Sequence, residues 1–241
     1  MKNVLLTGIS KGLGLETARI LLNKGYSVYG ISRSESTELI MLKEQYPETL
    51  KTLKFDLSNA ESVKTTIFDQ FVPLTTPIHA YINNAAMAYD DIVTNANYDR
   101  LKASFDVNFF TPVIMTKYAI RNMIFNNIPG SIVHVSSISV HTGYKGLSMY
   151  AASKGALEAF SKNTAREWGS KKIRSNCLVS GFMETEMSSS LSDEQKDRIY
   201  KRTSLKEAVS IHSVAAMIEF LVSAAASSVT GQNIFVDNGT I

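Results

Sequence analysis

The 241-residue chain has little of several features that identify special classes of protein. It has one cysteine, Cys177, so no disulfide can form within the chain and a disulfide-rich secreted domain is excluded. No block of five like charges occurs and the net charge is +3, which does not favour nucleic acid or a membrane as a partner. No apolar run approaches the ~18 residues of a membrane-spanning helix, and the apolar run near the N-terminus is too short for a signal peptide. We therefore expect a soluble, cytoplasmic protein.

Histidines are also few, and they are scattered along the chain without the spacing of metal ligands: His79, His134, His141 and His212. No metal site is predicted. His134, within an apolar strand pattern, is expected to pack rather than to react. For His141, which follows Ser137 by four residues, packing and a substrate contact both stay open.

Short apolar runs alternate with longer amphipathic segments along the whole sequence. The runs are predicted strands, at 3–8, 27–32, 50–56, 80–85, 131–137, 173–179 and 233–237. The longer segments are predicted helices, at 12–24, 35–46, 59–71, 98–126, 150–169 and 210–226. This alternation produces βαβ units. The prediction is an α/β fold in which residues 1–241 form one domain, with a Rossmann-like, doubly wound parallel sheet of about seven strands and helices on both faces.

The polar segment 183–204 follows the sixth predicted strand. Ligands of doubly wound sheets bind at the carboxyl edge, so this segment is placed to act as a substrate lid. A polar surface helix explains the same pattern, and the sequence does not decide between the two.

The stretch "TGISKGLG" (7–14) lies between the first predicted strand and the first predicted helix. Glycines at 8, 12 and 14 allow a tight turn and a close approach of the backbone to a pyrophosphate, whose charge suits a helix N-terminus. The position of the turn makes dinucleotide binding the favoured interpretation.

The stretch "SMYAASKGAL" places Tyr150 and Lys154 four residues apart, on one face of a predicted helix. A free phenol has a pKa near 10, which is too high for ready proton exchange at neutral pH. A neighbouring cation stabilises the phenolate, so we expect Lys154 to lower the pKa of Tyr150 and make it a usable general acid and base.

Together with "NNAA" (83–86), the serine at 137 and "VTGQNIFVDNG" (229–239), these motifs resemble the compact branch of the short-chain dehydrogenase/reductase family over essentially the whole chain. The resemblance implies hydride transfer between a nicotinamide cofactor and a ketone or secondary alcohol, with four catalytic residues: Asn108, Ser137, Tyr150 and Lys154. Ser136 competes with Ser137, because strand alternation does not separate them. The family's spacing to the tyrosine favours Ser137.

The resemblance also implies a cofactor site made of Gly8, Ser10, Lys11, Gly12, Leu13, Gly14, Arg33, Asp56, Leu57, Asn83, Ala85, Tyr150, Lys154, Gly181, Met183 and Thr185. Arg33 stands at the end of the second predicted strand, where an acidic residue binds the ribose hydroxyl of NAD. A cation there suits the 2′-phosphate of NADP(H), and Lys11 adds a second positive charge. NADP(H) is therefore the predicted cofactor, although Glu35 lies close by.

Several functions remain open at this point. The motif "SSVTGQ" is shared with 3-oxoacyl-acyl-carrier-protein reductases of the family, but a sugar, hydroxy acid or other small ketone suits the sequence equally. A sugar epimerase or dehydratase of the extended branch is disfavoured by the glycine spacing. A cofactor-sensing protein without activity is disfavoured because Ser137, Tyr150 and Lys154 are all present. A homodimer or homotetramer is expected, formed through the apolar segments 98–126 and 150–169.

Overall fold

A computed structural model of the protein describes residues 1–185 and 191–240. Its centre is one sheet of seven parallel strands: β1 (Asn3–Thr7), β2 (Ser27–Ser32), β3 (Leu50–Lys54), β4 (Ala80–Asn83), β5 (Gly130–Ser137), β6 (Ile173–Ser180) and β7 (Asn233–Val236). The spatial order is β3-β2-β1-β4-β5-β6-β7. The prediction of one doubly wound parallel sheet with about seven strands is confirmed.

The α-helices are α1 (Gly12–Asn23), α2 (Thr37–Gln45), α3 (Tyr98–Phe105), α4 (Thr111–Phe125), α5 (Ser139–Thr142), α6 (Ser148–Trp168), α7 (Asp193–Tyr200) and α8 (Ile211–Val222). The segment between β3 and β4 was predicted to be helical from 59 to 71. It forms a short 3₁₀ turn, Ala60–Ser62, followed by a π-helical stretch, Val63–Phe71.

Two apolar layers cover the sheet. On one face, α1, α2 and α8 pack on side chains such as Val4, Leu6 and Val133. On the other face, the 63–71 stretch and α4 pack on side chains such as Leu5 and Ile132. The alternation of neighbouring residues between the two layers is the period-two pattern of strands buried on both faces.

The chain reverses its direction across the sheet between β1 and β4. From β1 it moves outward to β2 and β3, and it then returns to the other side of β1 to form β4. The connections after β1 and β4 therefore diverge and leave a crevice at the carboxyl ends of these strands. Crevices at such switch points bind the ligands of doubly wound folds.

The predicted helix 98–126 is interrupted. The α-helical turns α3 and α4 flank a π-helical segment, Asp106–Phe110, which holds Asn108. A π turn contains an extra residue, so α3 and α4 differ in rotational phase and a single helical repeat does not describe both. Such segments occur frequently at functional sites.

The predicted lid, 183–204, includes residues 186–190, which lie outside the described residues. Within its later part, α7 begins with a capping box in which Ser192 and Gln195 bond each other's backbone amides.

Among the described residues, no helix has both the length and the apolar composition needed to cross a membrane. Over the same residues, no group of three His, Cys, Asp or Glu side chains could hold a metal ion.

Candidate active site

The glycine-rich turn joins the end of β1 to the start of α1. Gly8 has φ +75°, and a Cβ added there would lie 2.9 Å from the Cα of Ala85. A Cβ added at Gly14 would lie only 2.0 Å from the carbonyl oxygen of Gly8. Side chains would therefore break the turn, and their absence brings the N-terminus of α1 to the surface of the crevice, where an anionic group can bind.

The turn is fixed to the connection that follows β4. The hydroxyl of Thr7 accepts hydrogen bonds from the amides of Asn84 and Ala85, both at 3.1 Å. The side-chain amide of Asn84 donates to the carbonyl oxygens of Thr7 and Gly8, at 3.0 and 3.2 Å. These bonds hold the two walls of the crevice together.

The crevice has a volume of about 550 Å³. Fourteen of the predicted site residues line it: Gly8, Ser10, Lys11, Gly12, Leu13, Gly14, Arg33, Asp56, Leu57, Ala85, Tyr150, Lys154, Met183 and Thr185. The glycine turn and the Tyr150–Lys154 helix therefore open on one space, although more than 130 residues separate them in the sequence. Four predicted residues lie outside this lining: Asn83, Asn108, Ser137 and Gly181.

Two of these four are turned away from the crevice for structural reasons. The side chain of Asn83 is buried and faces Nδ1 of His134 at 3.3 Å, and its neighbour Asn84 lines the crevice instead. Gly181 is packed closely, since an added Cβ would lie 2.7 Å from the Cα of Asp237. Of the two asparagines, Asn84 therefore borders the crevice and Asn83 does not.

Near the end of β2, one charged side chain faces the crevice and another faces the outer surface. Arg33 lines the crevice and acts on Asp56, whose pKa is lowered mainly by a hydrogen bond from the amide of Ser58 and to a lesser extent by Arg33. Glu35 is directed elsewhere, with its carboxylate 2.6 Å from the ammonium of Lys43. The carboxylate that could compete with Arg33 for a ribose is thus engaged on the outer surface.

Tyr150 and Lys154 project from the first turns of α6 toward β5. Lys154 is buried, and its ammonium donates to the carbonyl oxygen of Val135 at 2.8 Å. The same ammonium lies 5.8 Å from the centre of the Tyr150 ring. Burial lowers the pKa of Lys154 to about 8. The lysine is therefore beside the phenol without donating to it.

The pKa of Tyr150 is not lowered in this structure, although its pairing with Lys154 led us to expect a lower value. The pKa of the half-buried Tyr150 is raised to about 12, first because burial removes water from the phenolate and second because of the carboxylate of Asp90. The hydrogen bond with Ser137 acts in the opposite direction. The loss of hydration outweighs the hydrogen bond with Ser137, and the ammonium of Lys154 donates to the carbonyl oxygen of Val135 instead of the phenol.

The structure separates the two candidate serines. Ser137 hydrogen-bonds to Tyr150, and its hydroxyl oxygen is 3.0 Å from that of Ser139. Ser136 instead donates to the buried carboxylate of Glu158 at 2.5 Å. Of the two serines, Ser137 is therefore the one that contacts Tyr150, whereas Ser136 lines the crevice.

Asn108 is fully buried in the π-helical segment. Its side-chain oxygen accepts from the amide of Met87 at 2.7 Å, and its side-chain nitrogen donates to the hydroxyl of Ser153 at 3.0 Å. Asn108 thereby connects the crevice wall after β4 to α6 at the residue next to Lys154. An amide buried in an apolar helix is satisfied in this way at little cost.

Known proteins resemble this chain over almost its whole length. A family model described as enoyl-(acyl carrier protein) reductase matches residues 8–240. The 3-oxoacyl-(acyl-carrier-protein) reductase FabG of Chlamydia pneumoniae is 31% identical over 240 residues, which cover 99% of this chain and 96% of that protein. The chain belongs to the short-chain dehydrogenase/reductase family.

The names of other similar proteins mention both NADP(H) and NADH as cofactors. Carbonyl reductase (NADPH) 2 of Sus scrofa is 30% identical over 237 residues, covering 98% of this chain and 94% of that one. Among solved structures, a 4-hydroxyisoleucine dehydrogenase complexed with NADH has a TM-score of 0.92 and 26% identity, covering 100% of this chain and 98% of that one. A gluconate 5-dehydrogenase from Burkholderia cenocepacia, in complex with NADP and tartrate, has a TM-score of 0.91 and 27% identity, covering 99% and 94%.

As a member of the short-chain dehydrogenase/reductase family, this chain is an oxidoreductase of alcohol and carbonyl groups with a dinucleotide-binding fold. Sequence reasoning gave no role to three residues that the structure brings near the site: Asn84, within the quoted motif "NNAA", Asp90 and Glu158. A usable signal existed for Glu158, because Tyr150, Lys154 and Glu158 follow one another at intervals of four on one helix face.

Proposed function

We propose that the protein interconverts a ketone and a secondary alcohol with NADP(H), and that Tyr150 transfers the proton. The observation that carries this proposal is the common crevice shared by the glycine turn, Arg33, Tyr150 and Lys154. A dinucleotide bound along the crevice would extend from the end of β2 to the start of α6. Its adenosine end would then lie near Arg33 and its nicotinamide end near Tyr150, where the hydride is transferred.

The residues that line the crevice fit such a cofactor. Gly8, Gly12 and Gly14 leave the backbone exposed for the pyrophosphate, Arg33 and Lys11 supply positive charge for the adenosine end, and Tyr150 and Lys154 stand at the other end. When bound, the nicotinamide supplies or accepts the hydride. The side chains of the protein hold the substrate oxygen and transfer one proton.

The raised pKa of Tyr150 keeps the phenol ready to donate a proton at neutral pH. At neutral pH the phenol is protonated, so in reduction its O–H bond breaks and the proton goes to the substrate oxygen as the carbonyl carbon gains the hydride. The hydroxyl of Ser137 donates a hydrogen bond to the same oxygen. In oxidation the phenolate takes the proton back, and the ammonium of Lys154 and the hydroxyl of Ser137 stabilise that anion.

Preference for NADP(H) rests on charge at the adenosine end. Arg33 lines the crevice, and the competing Glu35 is paired with Lys43. Glu38 also lines the crevice, but its pKa is lowered by hydrogen bonds to its own backbone and to Ser36, so its carboxylate is engaged locally. A charge-assisted hydrogen bond from Arg33 to a 2′-phosphate is worth roughly 1.5–3 kcal/mol.

A reductase of 3-oxoacyl-(acyl-carrier-protein) is the second candidate, favoured by the 31% identity to an enzyme of that name. The sequence lacks basic residues before the serine strand, where "NNIPGSI" occurs, which favours a smaller ketone.

We further propose a cytoplasmic homodimer or homotetramer, consistent with the buried free thiol of Cys177 and with exposed phenylalanines at the ends of α4.

A substrate screen tests the proposal. The purified protein is supplied with NADPH and, separately, with L-xylulose, 5-ketogluconate, diacetyl and acetoacetyl-CoA, and the loss of NADPH absorbance is followed. We expect turnover of at least one of these carbonyl compounds. Tight binding of NADPH, measured by its fluorescence, without turnover of any carbonyl compound would instead support a cofactor-sensing protein.

A further inference from the structure

Glu158 is a buried carboxylate two helical turns below Tyr150. Its residue surface is only 8% exposed, and it lies on the same face of α6 as Lys154. Burial of a carboxylate is costly unless hydrogen bonds replace its water. The functions described above do not account for a charge in this position.

Three donors from three different elements converge on this carboxylate. The hydroxyl of Ser136 on β5 donates at 2.5 Å, the ring of His141 on α5 lies at 3.0 Å, and the side-chain amide of Asn233 on β7 donates at 2.6 Å. Glu158 thus connects α6 to a central strand, a short helix and the edge strand. The number of donors explains how its charge is accommodated.

Two of the three donors flank the predicted catalytic serine in sequence. Ser136 immediately precedes Ser137, and His141 follows it by four residues within α5. On the same helix face, Lys154 donates to the carbonyl oxygen of Val135. The chain is therefore attached to α6 both before and after Ser137, while Ser137 itself faces Tyr150.

We propose that Glu158 is a positioning residue that fixes Ser137 opposite Tyr150 through its bonds to Ser136 and His141. This inference rests on the proposed function of the Ser137–Tyr150 pair. Glu158 contacts neither substrate nor cofactor in this scheme. Its effect is to prevent β5 and α5 from moving relative to α6, and a displacement of about 1 Å at a reacting group can cost ~10²-fold in rate.

The test compares Glu158→Gln with Glu167→Gln, an exposed glutamate on the same helix. In Glu158→Gln, the new side-chain amide would present an N–H group to at least one of the three donors. We expect kcat for the best carbonyl substrate to fall about tenfold to a hundredfold in Glu158→Gln, while the dissociation constant of NADPH stays within about twofold. Glu167→Gln should leave both unchanged.

Rescue distinguishes positioning from a general loss of structure. In Glu158→Gln/Asn233→Asp, donor and acceptor exchange places, so at least about fivefold of the lost kcat should return. His141→Leu, which changes a side chain that is 27% exposed, provides a milder variant with the same direction of effect should Glu158→Gln fold poorly. A Glu158→Gln protein with kcat within about twofold of wild type, or a fall in kcat without any recovery in the exchanged pair, overturns the proposal.

Hydrogen exchange separates this inference from the proposed function. Amides of residues 137–142 should exchange faster in Glu158→Gln than in wild type or Glu167→Gln. If wild type turns over no carbonyl compound, the proposed function fails, while faster exchange still supports the attachment by Glu158. If exchange is unchanged, the attachment is refuted whatever the activity.

Discussion

The ammonium of Lys154 donates to the carbonyl oxygen of Val135 at 2.8 Å and lies 5.8 Å from the centre of the Tyr150 ring. The lysine therefore ties α6 to β5 at the position where the phenol meets Ser137. Tyr150 is the proton donor that we propose, and its neighbours determine how readily it ionises.

Replacing Tyr150 by phenylalanine should remove turnover and leave cofactor binding. Positioned acid–base catalysis is worth ~10²–10⁴-fold, so kcat of Tyr150→Phe should fall within that range. Steady-state kinetics gives kcat, and NADPH fluorescence gives binding. Tyr46→Phe, which removes an exposed phenol bonded to Asn23, serves as the control. Activity within about tenfold of wild type would refute the assignment.

Replacing Asp90 by asparagine should shift the pH dependence of alcohol oxidation to lower pH. The carboxylate of Asp90 raises the pKa of Tyr150, so its removal stabilises the phenolate that oxidation requires. A unit charge about 4 Å away contributes about 1 kcal/mol in water, so we expect a shift of less than about one pH unit. The rising limb of kcat/KM against pH measures the shift.

The control for Asp90→Asn is Asp91→Asn, because Asp91 is not among the charges that act on Tyr150. A limb that stays in place in Asp90→Asn, or moves to higher pH, would contradict the electrostatic role given to Asp90.

Replacing Arg33 by aspartate should reverse the cofactor preference. The ratio of kcat/KM with NADPH to that with NADH should fall about tenfold to a hundredfold or more, because a charge-assisted hydrogen bond to the 2′-phosphate is lost and a repulsion is introduced. Lys24→Asp, at the end of α1 and away from the crevice, is the matched charge change. Equal use of both cofactors by wild type would overturn the preference itself.

Replacing His134 by glutamine should reduce the acid sensitivity of folding. Burial, and next the charge of Lys154, lower the pKa of His134 to about 3, against an ordinary value near 6.5. The unfolded chain therefore binds a proton between these pH values that the folded chain does not, so stability is lost as pH falls below about 6.5. For one such group the loss from pH 7 to pH 5 is about 2 kcal/mol.

Urea unfolding at pH 7 and pH 5 tests this prediction for His134. The difference in unfolding free energy between the two pH values should be about 2 kcal/mol smaller in His134→Gln than in wild type. His212→Gln alters an exposed histidine and provides the comparison. The same pH dependence in wild type and His134→Gln would show that His134 is not responsible.

The surface of α4 should hold two copies of the chain together. Phe110, which precedes α4, and Phe125, which ends it, are 48% and 64% exposed, so large apolar side chains face outward at both ends of this helix. Light scattering at micromolar concentration should give a mass at least twice that of one chain, and Phe125→Asp should reduce it. Met41→Asp, on the opposite face of the sheet, should not. A single-chain mass for wild type would refute the association.

Sequence patterns predicted the strands well because each is a short apolar run. The predicted strand 27–32 has the bounds of β2, and the predicted strand 50–56 ends two residues early, because Asp56 begins a turn by accepting from the amide of Ser58. The helix 98–126 could not be divided from sequence, since composition does not reveal the extra residue of a π turn.

Prediction of the site was limited in a different way. The spacing of Tyr150 and Lys154 identified a face, and motif order identified the crevice. Which of two adjacent residues contacts a given neighbour depends on long-range partners: Ser136 is bonded to Glu158, so that Ser137 meets Tyr150, and Asn83 faces His134, so that Asn84 lines the crevice. The pKa of Tyr150 similarly depends on burial and on Asp90, which comes from a distant loop.

The π-helical segment Asp106–Phe110 has a consequence for how this chain can vary in length. Deleting one residue there would convert the segment into regular α-helix and rotate everything that follows by about 100°. The apolar side of α4 would then leave the sheet, or Asn108 would leave Met87 and Ser153. A substitution in this segment affects single contacts. A change of one residue in its length would break the connection that Asn108 makes between the crevice wall and α6.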